Sequence, residues 1–184
     1  METDLNKIAS LSKFNQDENW EFRTFLKGFD AKEIDSIVHE IYQQVSSKID
    51  CISCGNCCKI IQPVLNDKDI DQLSKSLKIN TETFKERYLE KDESDKNIFK
   101  QIPCPFFKDS KCIQYETRPK DCVSFPHLHK NDFVFRLIGV INNNSICPIV
   151  FNVYEELKKA LWEEWNDYLN DDEALDDLNA LDEY

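Results

Sequence analysis

An α+β fold with an irregular cysteine-rich centre, few short strands and amphipathic helices on its flanks is what this sequence predicts, on three observations. All eight cysteines lie between residues 51 and 147, and four of them fall in the run Cys-Ile-Ser-Cys-Gly-Asn-Cys-Cys at 51–58. Apolar residues recur at helical spacing on both sides of that region, over 34–45 and again over 150–168. Between them the chain is punctuated by Pro, Asn and Asp and offers only short extended runs. The organisation that follows is an N-terminal helical region at 1–49, a cysteine-cluster metal-binding region at 50–150, a C-terminal helix at 151–170 packing on the same domain, and an acidic tail at 171–184.

Residues 1–29 carry weak helical patterning and five aromatic rings, Phe14, Trp20, Phe22, Phe25 and Phe29, most of them expected in the core, with Gly28 as a helix stop. Asp30 opens an aspartate version of the capping box that closes at Glu33. Ile34, Ile37, Val38, Ile41, Tyr42 and Val45 then form the i, i+3, i+4, i+7 stripe of a helix over 31–48, and His39 lies off that stripe as a surface residue. After the first cysteines, 60–65 reads as an extended segment that Pro63 confines to a sheet edge.

Asn66 caps a helix carrying Ile70, Leu73 and Leu77, and Asn80 caps a second carrying Phe84, Tyr88 and Leu89, with Ile79 as a staple. The charged stretch 90–96 reads as a solvated loop. Lys108-Asp-Ser-Lys is a turn, and a hairpin there would bring Cys104 and Cys112 together. The run 133–141 is the best strand candidate in the chain, followed by a polar turn at 142–145 that delivers Cys147. Pro148 suits the first turn of a final helix carrying Val150, Val153, Tyr154, Leu157, Leu161, Trp165 and Tyr168, expected to pack on the helix at 31–48.

Composition bounds the function. The chain has 184 residues, about one ordinary domain, and its 41% hydrophobic content is enough for a core. No apolar run approaches the roughly 18 residues that span a bilayer, so no membrane partner is expected. The net charge of −12, without clustered Lys and Arg, argues against nucleic acid.

A Cys-x-x-Cys step lets two thiolates bend back onto one metal ion, and Gly55 permits the positive φ such a knuckle needs. The spacing favours thiolate binding of zinc or of iron in an iron–sulfur cluster over a disulfide framework, catalytic redox thiols or ordinary buried cysteines. The opening Met-Glu-Thr-Asp-Leu-Asn-Lys is no apolar signal segment, which points to a reducing, cytoplasmic compartment. Cys57 and Cys58, adjacent in extended chain, would project to opposite faces and so serve two sites or one polynuclear cluster. Cys104 and Cys147 each precede proline, as in the bacterial ferredoxin cysteine run, a tilt toward iron.

The segments Cys104-Pro-Phe-Phe and Cys112-Ile-Gln-Tyr-Glu-Thr-Arg-Pro-Lys-Asp-Cys-Val-Ser-Phe-Pro126, taken with the run at 51–58, resemble the YkgJ-type cysteine cluster family over about residues 48–150. The resemblance implies a zinc- or iron-chelating domain with metal ligands at Cys51, Cys54, Cys57, Cys58, Cys104, Cys112, Cys122 and Cys147. A flagellin lysine methylase is similar over the cysteine motif, which implies an enzyme among the relatives. Val123 stands where much of the family carries a basic residue, so one charge near the cluster is missing.

From the residues themselves, Arg118, restricted by Pro119 and flanked by Lys120, can place guanidinium donors near sulfur and act as a cofactor-binding group; the alternative is a surface arginine. Tyr115 and Phe125 read as packing residues that exclude water. His127 and His129 could each ligate a metal, but eight cysteines already exceed the need.

The primary expectation is therefore a cytoplasmic metal-binding protein. Its rivals are a cluster-dependent enzyme, methylase-like or redox, and a zinc-stapled interaction module. The three glycines, Gly28, Gly55 and Gly139, make no Gly-x-Gly loop for a nucleotide, and whether the chain is an enzyme stays open. The tail, with seven acids and Leu175, Leu178 and Leu181 at three-residue spacing, is either a disordered segment or a helix for a protein partner.

Overall fold

Buried apolar faces gather the chain into two units, one formed by Met1–Ile49 with the segment from Pro126 onward, the other by Asp50–Phe125. The computed structural model describes residues 1–171. The acidic run therefore lies, all but Asp171, outside the described residues. Residues 126–150, grouped with the cysteines in the sequence reading, fall in the first unit. Charge divides along the same boundary. Residues 50–125 hold thirteen Lys and Arg against thirteen Asp and Glu, so the whole acidic excess lies elsewhere and no carboxylate surplus opposes thiolates in this unit.

In the helical unit, α1 (Leu5–Phe14) starts at Asp4, whose carboxylate accepts from the Asn6 and Lys7 amides, and α2 (Gln16–Leu26) follows. Asp30 caps α3 (Ala31–Ser46) by accepting from the Lys32 and Glu33 amides, and the expected stripe buries Ile34, Val38 and Val45. Phe22 and Phe25 are core residues as expected, whereas Phe14 is 87% exposed, Trp20 is exposed and Phe29 is half-buried, so fewer of the five rings are core than the sequence suggested.

The second unit opens with two helical turns, α4 (Cys51–Cys54) and α5 (Cys57–Ile60), joined through Gly55. Next come β1 (Val64–Leu65), α6 (Asp67–Leu77), α7 (Thr81–Tyr88), β2 (Leu89–Lys91) and β3 (Asn97–Phe99). The antiparallel order β1-β3-β2 puts β1 at an edge, as Pro63 requires, with Val64 opposite Ile98 and Leu89 opposite Phe99. Asn66 and Asp69 make a complete capping box on α6.

The stretch expected as a loop at 90–96 is instead the end of β2 and a hairpin turn. The Asp92 carboxylate organises it by accepting from the Ser94 and Lys96 amides, a local bond that charge composition does not reveal. Leu65, Ile70, Leu73, Phe84, Leu89, Phe99 and Phe106 form this unit's core, with Cys104 packed against it. A second hairpin pairs β4 (Phe107–Lys108) with β5 (Lys111–Cys112) through Asp109 and Ser110, both at positive φ as a two-residue turn of this type needs. A 3-10 turn at Tyr115–Thr117 and α8 (Lys120–Ser124) complete the unit.

Back in the helical unit, the expected strand at 133–141 is a 3-10 turn, Phe133–Arg136, running into α9 (Leu137–Asn144). Burial decides the matter: Phe133, Val134, Leu137 and Val140 are inside while Phe135 and Ile138 are exposed, a helical and not an alternating period. Apolar residues at nearly every position hid that period. A tertiary contact also starts the helix, because the buried Asp35 carboxylate of α3 accepts from the Asp132 amide at 2.7 Å and the Phe133 amide at 2.9 Å. The polar run at 142–144 closes α9 and is not a turn.

Gly139 sits inside α9, and a methyl group added there would meet no atom within 4 Å. Gly139→Ala is expected to raise stability by about 0.5–1 kcal/mol, read from chemical unfolding, because it removes glycine's excess unfolded-state freedom without a clash.

The final helix breaks at Leu161 into α10 (Pro148–Ala160) and α11 (Trp162–Leu169), and α10 packs on α3 as its stripe predicts. Tyr154 and Trp165 close on Phe22 with ring centroids 5.5 and 4.7 Å away, and the Tyr154 hydroxyl donates to the Asn19 carbonyl at 3.0 Å. Among the described residues no helix is long and apolar enough to cross a membrane.

Candidate metal centre

Gly55 determines how the first cysteines are presented. Its φ of +53° ends α4 and redirects the chain into α5, and an added Cβ would lie 2.5 Å from the Phe107 ring. Only glycine lets this backbone press against the β4–β5 hairpin. Asp50 holds the start of α4 by accepting from the Ile52 amide at 2.9 Å and the Ser53 hydroxyl at 2.6 Å. The Cys104 amide donates to the Cys58 carbonyl at 2.8 Å, which joins the second cysteine segment to the first.

The hairpin sets Cys112 opposite Phe107, three residues after Cys104, and the Cys112 charge adds to the rise at Cys104. Cys122 arrives on α8, which is tied down twice. The Asp69 carboxylate accepts from the Lys120 amide at 2.9 Å, and the Asp121 carboxylate accepts from the Val64 amide at 3.2 Å. Gln114 anchors the segment between them, accepting from the Ser76 and Thr117 hydroxyls, both at 2.7 Å. Sequence reading missed these three scaffold residues. Asp69 serves both in the capping box of α6 and, across 51 positions, as the seat of α8.

Four thiols from four segments, Cys58, Cys104, Cys112 and Cys122, thus stand within mutual electrostatic reach. Burial lifts Cys104 to about 11 and Cys122 to about 12, with the neighbouring thiols adding to both shifts. Cys112 and Cys51 are also raised, chiefly by burial. Cys58 goes the other way, down to about 7, because the Cys57 thiol hydrogen-bonds to it and the Arg118 charge assists. That contact corrects the expectation that Cys57 and Cys58 diverge: they begin a helical turn, not an extended segment, and their thiols meet.

Cys51 and Cys54 both stand on α4, and the Cys54 charge adds to the rise at Cys51. The Arg118 charge favours the ionised form of Cys51, Cys58 and Cys112. All eight cysteines are thiols, not disulfides.

Cys147 belongs to the helical unit, where it is buried ahead of α10 and its amide donates to the Asn143 carbonyl. The histidines are in that unit too: the His127 carbonyl accepts from Arg136, His129 lies beside Tyr42, and the His39 ring meets the Lys130 carbonyl at 3.3 Å. Among the described residues no three His, Cys, Asp or Glu side chains stand in metal-holding geometry. The donor chemistry fits the group: several soft sulfurs, partly desolvated and with a cation beside them, suit zinc or iron.

A thiol-rich metal-binding domain is the class these features define. The chain belongs to the CxxCxxCC family, whose model, described as "Putative zinc- or iron-chelating domain", matches residues 50–148. No curated protein and no solved structure matches the chain.

Proposed function

We propose that Asp50–Phe125 holds zinc or iron through Cys58, Cys104, Cys112 and Cys122 as a central set, with Cys51, Cys54 and Cys57 beside them. The observation that carries this reading is the gathering of four thiols from four separate segments, two of them buried enough to resist ionising alone. A metal cation supplies the charge that makes thiolates stable there. Seven thiols in one unit exceed the four that a tetrahedral ion takes, which supports more than one metal atom, as two ions or as an iron–sulfur cluster.

Arg118 offsets the negative charge of the assembled thiolates. Cys147, in the apolar interior of the helical unit, takes a packing role. Thiolate metal ligands suit a reducing compartment, and the cytoplasm is our assignment.

The test is anaerobic purification followed by elemental and optical analysis. More than one zinc or iron per chain is expected, with colour if the metal is iron. A metal-free chain with all eight thiols titratable overturns the reading.

A further inference from the structure

The turn before α8 stacks the Arg118 guanidinium on the Tyr115 ring at van der Waals contact. A 3-10 helix sets side chains three residues apart nearly in register, and Arg118 follows the Tyr115–Thr117 turn three residues after Tyr115. Its guanidinium carbon therefore sits 3.6 Å from the Tyr115 ring centroid, while Nη1 donates to the Tyr115 carbonyl at 2.6 Å. The other cation–ring pairs among the described residues are looser: Arg23 on Trp20 at 5.2 Å, Arg87 on Tyr88 at 5.3 Å, and Lys59 on Phe107 and Lys158 on Tyr154 both at 5.7 Å.

Backbone and neighbours hold the arrangement in place. Pro119 keeps Arg118 extended, at φ −61° and ψ 148°, and Gln114 ties the turn to Ser76 of α6. An arginine gripped on one face and at one nitrogen has lost most of its rotamer freedom before any ligand arrives. Its charge nonetheless reaches Cys51, Cys58 and Cys112, thiols from three different elements.

We propose that Tyr115 is a positioning residue, clamping Arg118 so that a fixed positive charge faces the thiol group and offsets the negative charge of a thiolate-bound cation. The inference rests on the metal reading above. Tyr115 acts through the arginine and touches no metal. Its ring and carbonyl carry the effect and its hydroxyl does not, which separates this role from a hydrogen-bonding one.

The experiment is anaerobic Co(II) titration of the full chain against a chromophoric chelator. Arg118→Ala is expected to weaken Co(II) binding about 10–100-fold, the usual cost of losing an outer-shell partner. It should also move the sulfur-to-cobalt charge-transfer band to longer wavelength, because the sulfur electrons lose a nearby cation. Tyr115→Ala should shift the band the same way and weaken binding about tenfold. Tyr115→Phe and Tyr115→Trp, which keep a ring under the guanidinium, should stay within about twofold of the parent, below the outer-shell range.

The double variant Tyr115→Ala/Arg118→Ala should match Arg118→Ala alone, since a clamp has no effect without the group it clamps. Additive losses, an unmoved band in Tyr115→Ala, or a defect in Tyr115→Phe equal to that in Tyr115→Ala overturns the proposal. Failure of the parent chain to take up Co(II) overturns the metal reading together with this one, whereas a parent that binds with an additive cycle overturns the clamp alone.

Discussion

Serine at Cys122 is expected to cost more metal affinity than any outer-shell change, over about 100-fold, and to loosen residues 104–124. The thiol is among the more buried of the set, and burial holds its proton on to about 12, so it ionises there only with a cation present. A serine hydroxyl ionises far less readily and is a poor ligand for soft metals. The protein then loses one donor of the central set and, because metal free energy is also folding free energy, part of the unit's stability.

Cys147→Ser is the contrasting variant. It places a hydroxyl in an apolar interior and is expected to lower stability by about 1–3 kcal/mol while metal content stays at the parent value. Elemental analysis and thermal unfolding of the two variants check both statements. Loss of metal in Cys147→Ser, or its retention in Cys122→Ser, runs against the proposed division of the cysteines.

Gly55→Ala should destabilise the Asp50–Phe125 unit by about 2–5 kcal/mol, combining roughly 1–2 kcal/mol for a side chain at left-handed φ with 1–3 kcal/mol for overpacking. The new methyl would lie 2.5 Å from the Phe107 ring, so either the ring or the cysteine turn must give way. Phe107 pairs with Cys112 across the hairpin, and its displacement moves a proposed ligand as well. The same substitution at Gly139 has the opposite sign, since there the space is open. Hydrogen exchange of Gly55→Ala should show the loosening confined to residues 51–58 and 104–112. Parent-like exchange there removes the steric argument.

Local chemistry explains how much of this was legible beforehand. Caps at Asp30, Asn66 and Asn80, the edge role of Pro63 and the Asp109-Ser110 turn each depend on residues a few positions apart, and all appear where sequence places them. What was hidden depends on partners far along the chain. The helical state of 133–144 is set by Asp35, about a hundred positions earlier, and the seat of α8 by Asp69 and Val64.

At the site, the hairpin turn that sets Cys112 opposite Phe107, three residues after Cys104, was readable from Lys108-Asp-Ser-Lys. The meeting of Cys57 with Cys58 was not, because it needs a helical turn in a four-residue segment too short to show a period. Tyr115 was read as packing, and its grip on Arg118 emerges only once the turn is known to be 3-10.

The most direct test of the central claim is the X-ray absorption fine structure of the metal in anaerobically purified protein. Thiolate ligation predicts a sulfur shell near 2.3 Å with about four scatterers per metal atom, whether zinc or iron is present. A shell of nitrogen or oxygen near 2.0–2.1 Å with no sulfur contribution would contradict it.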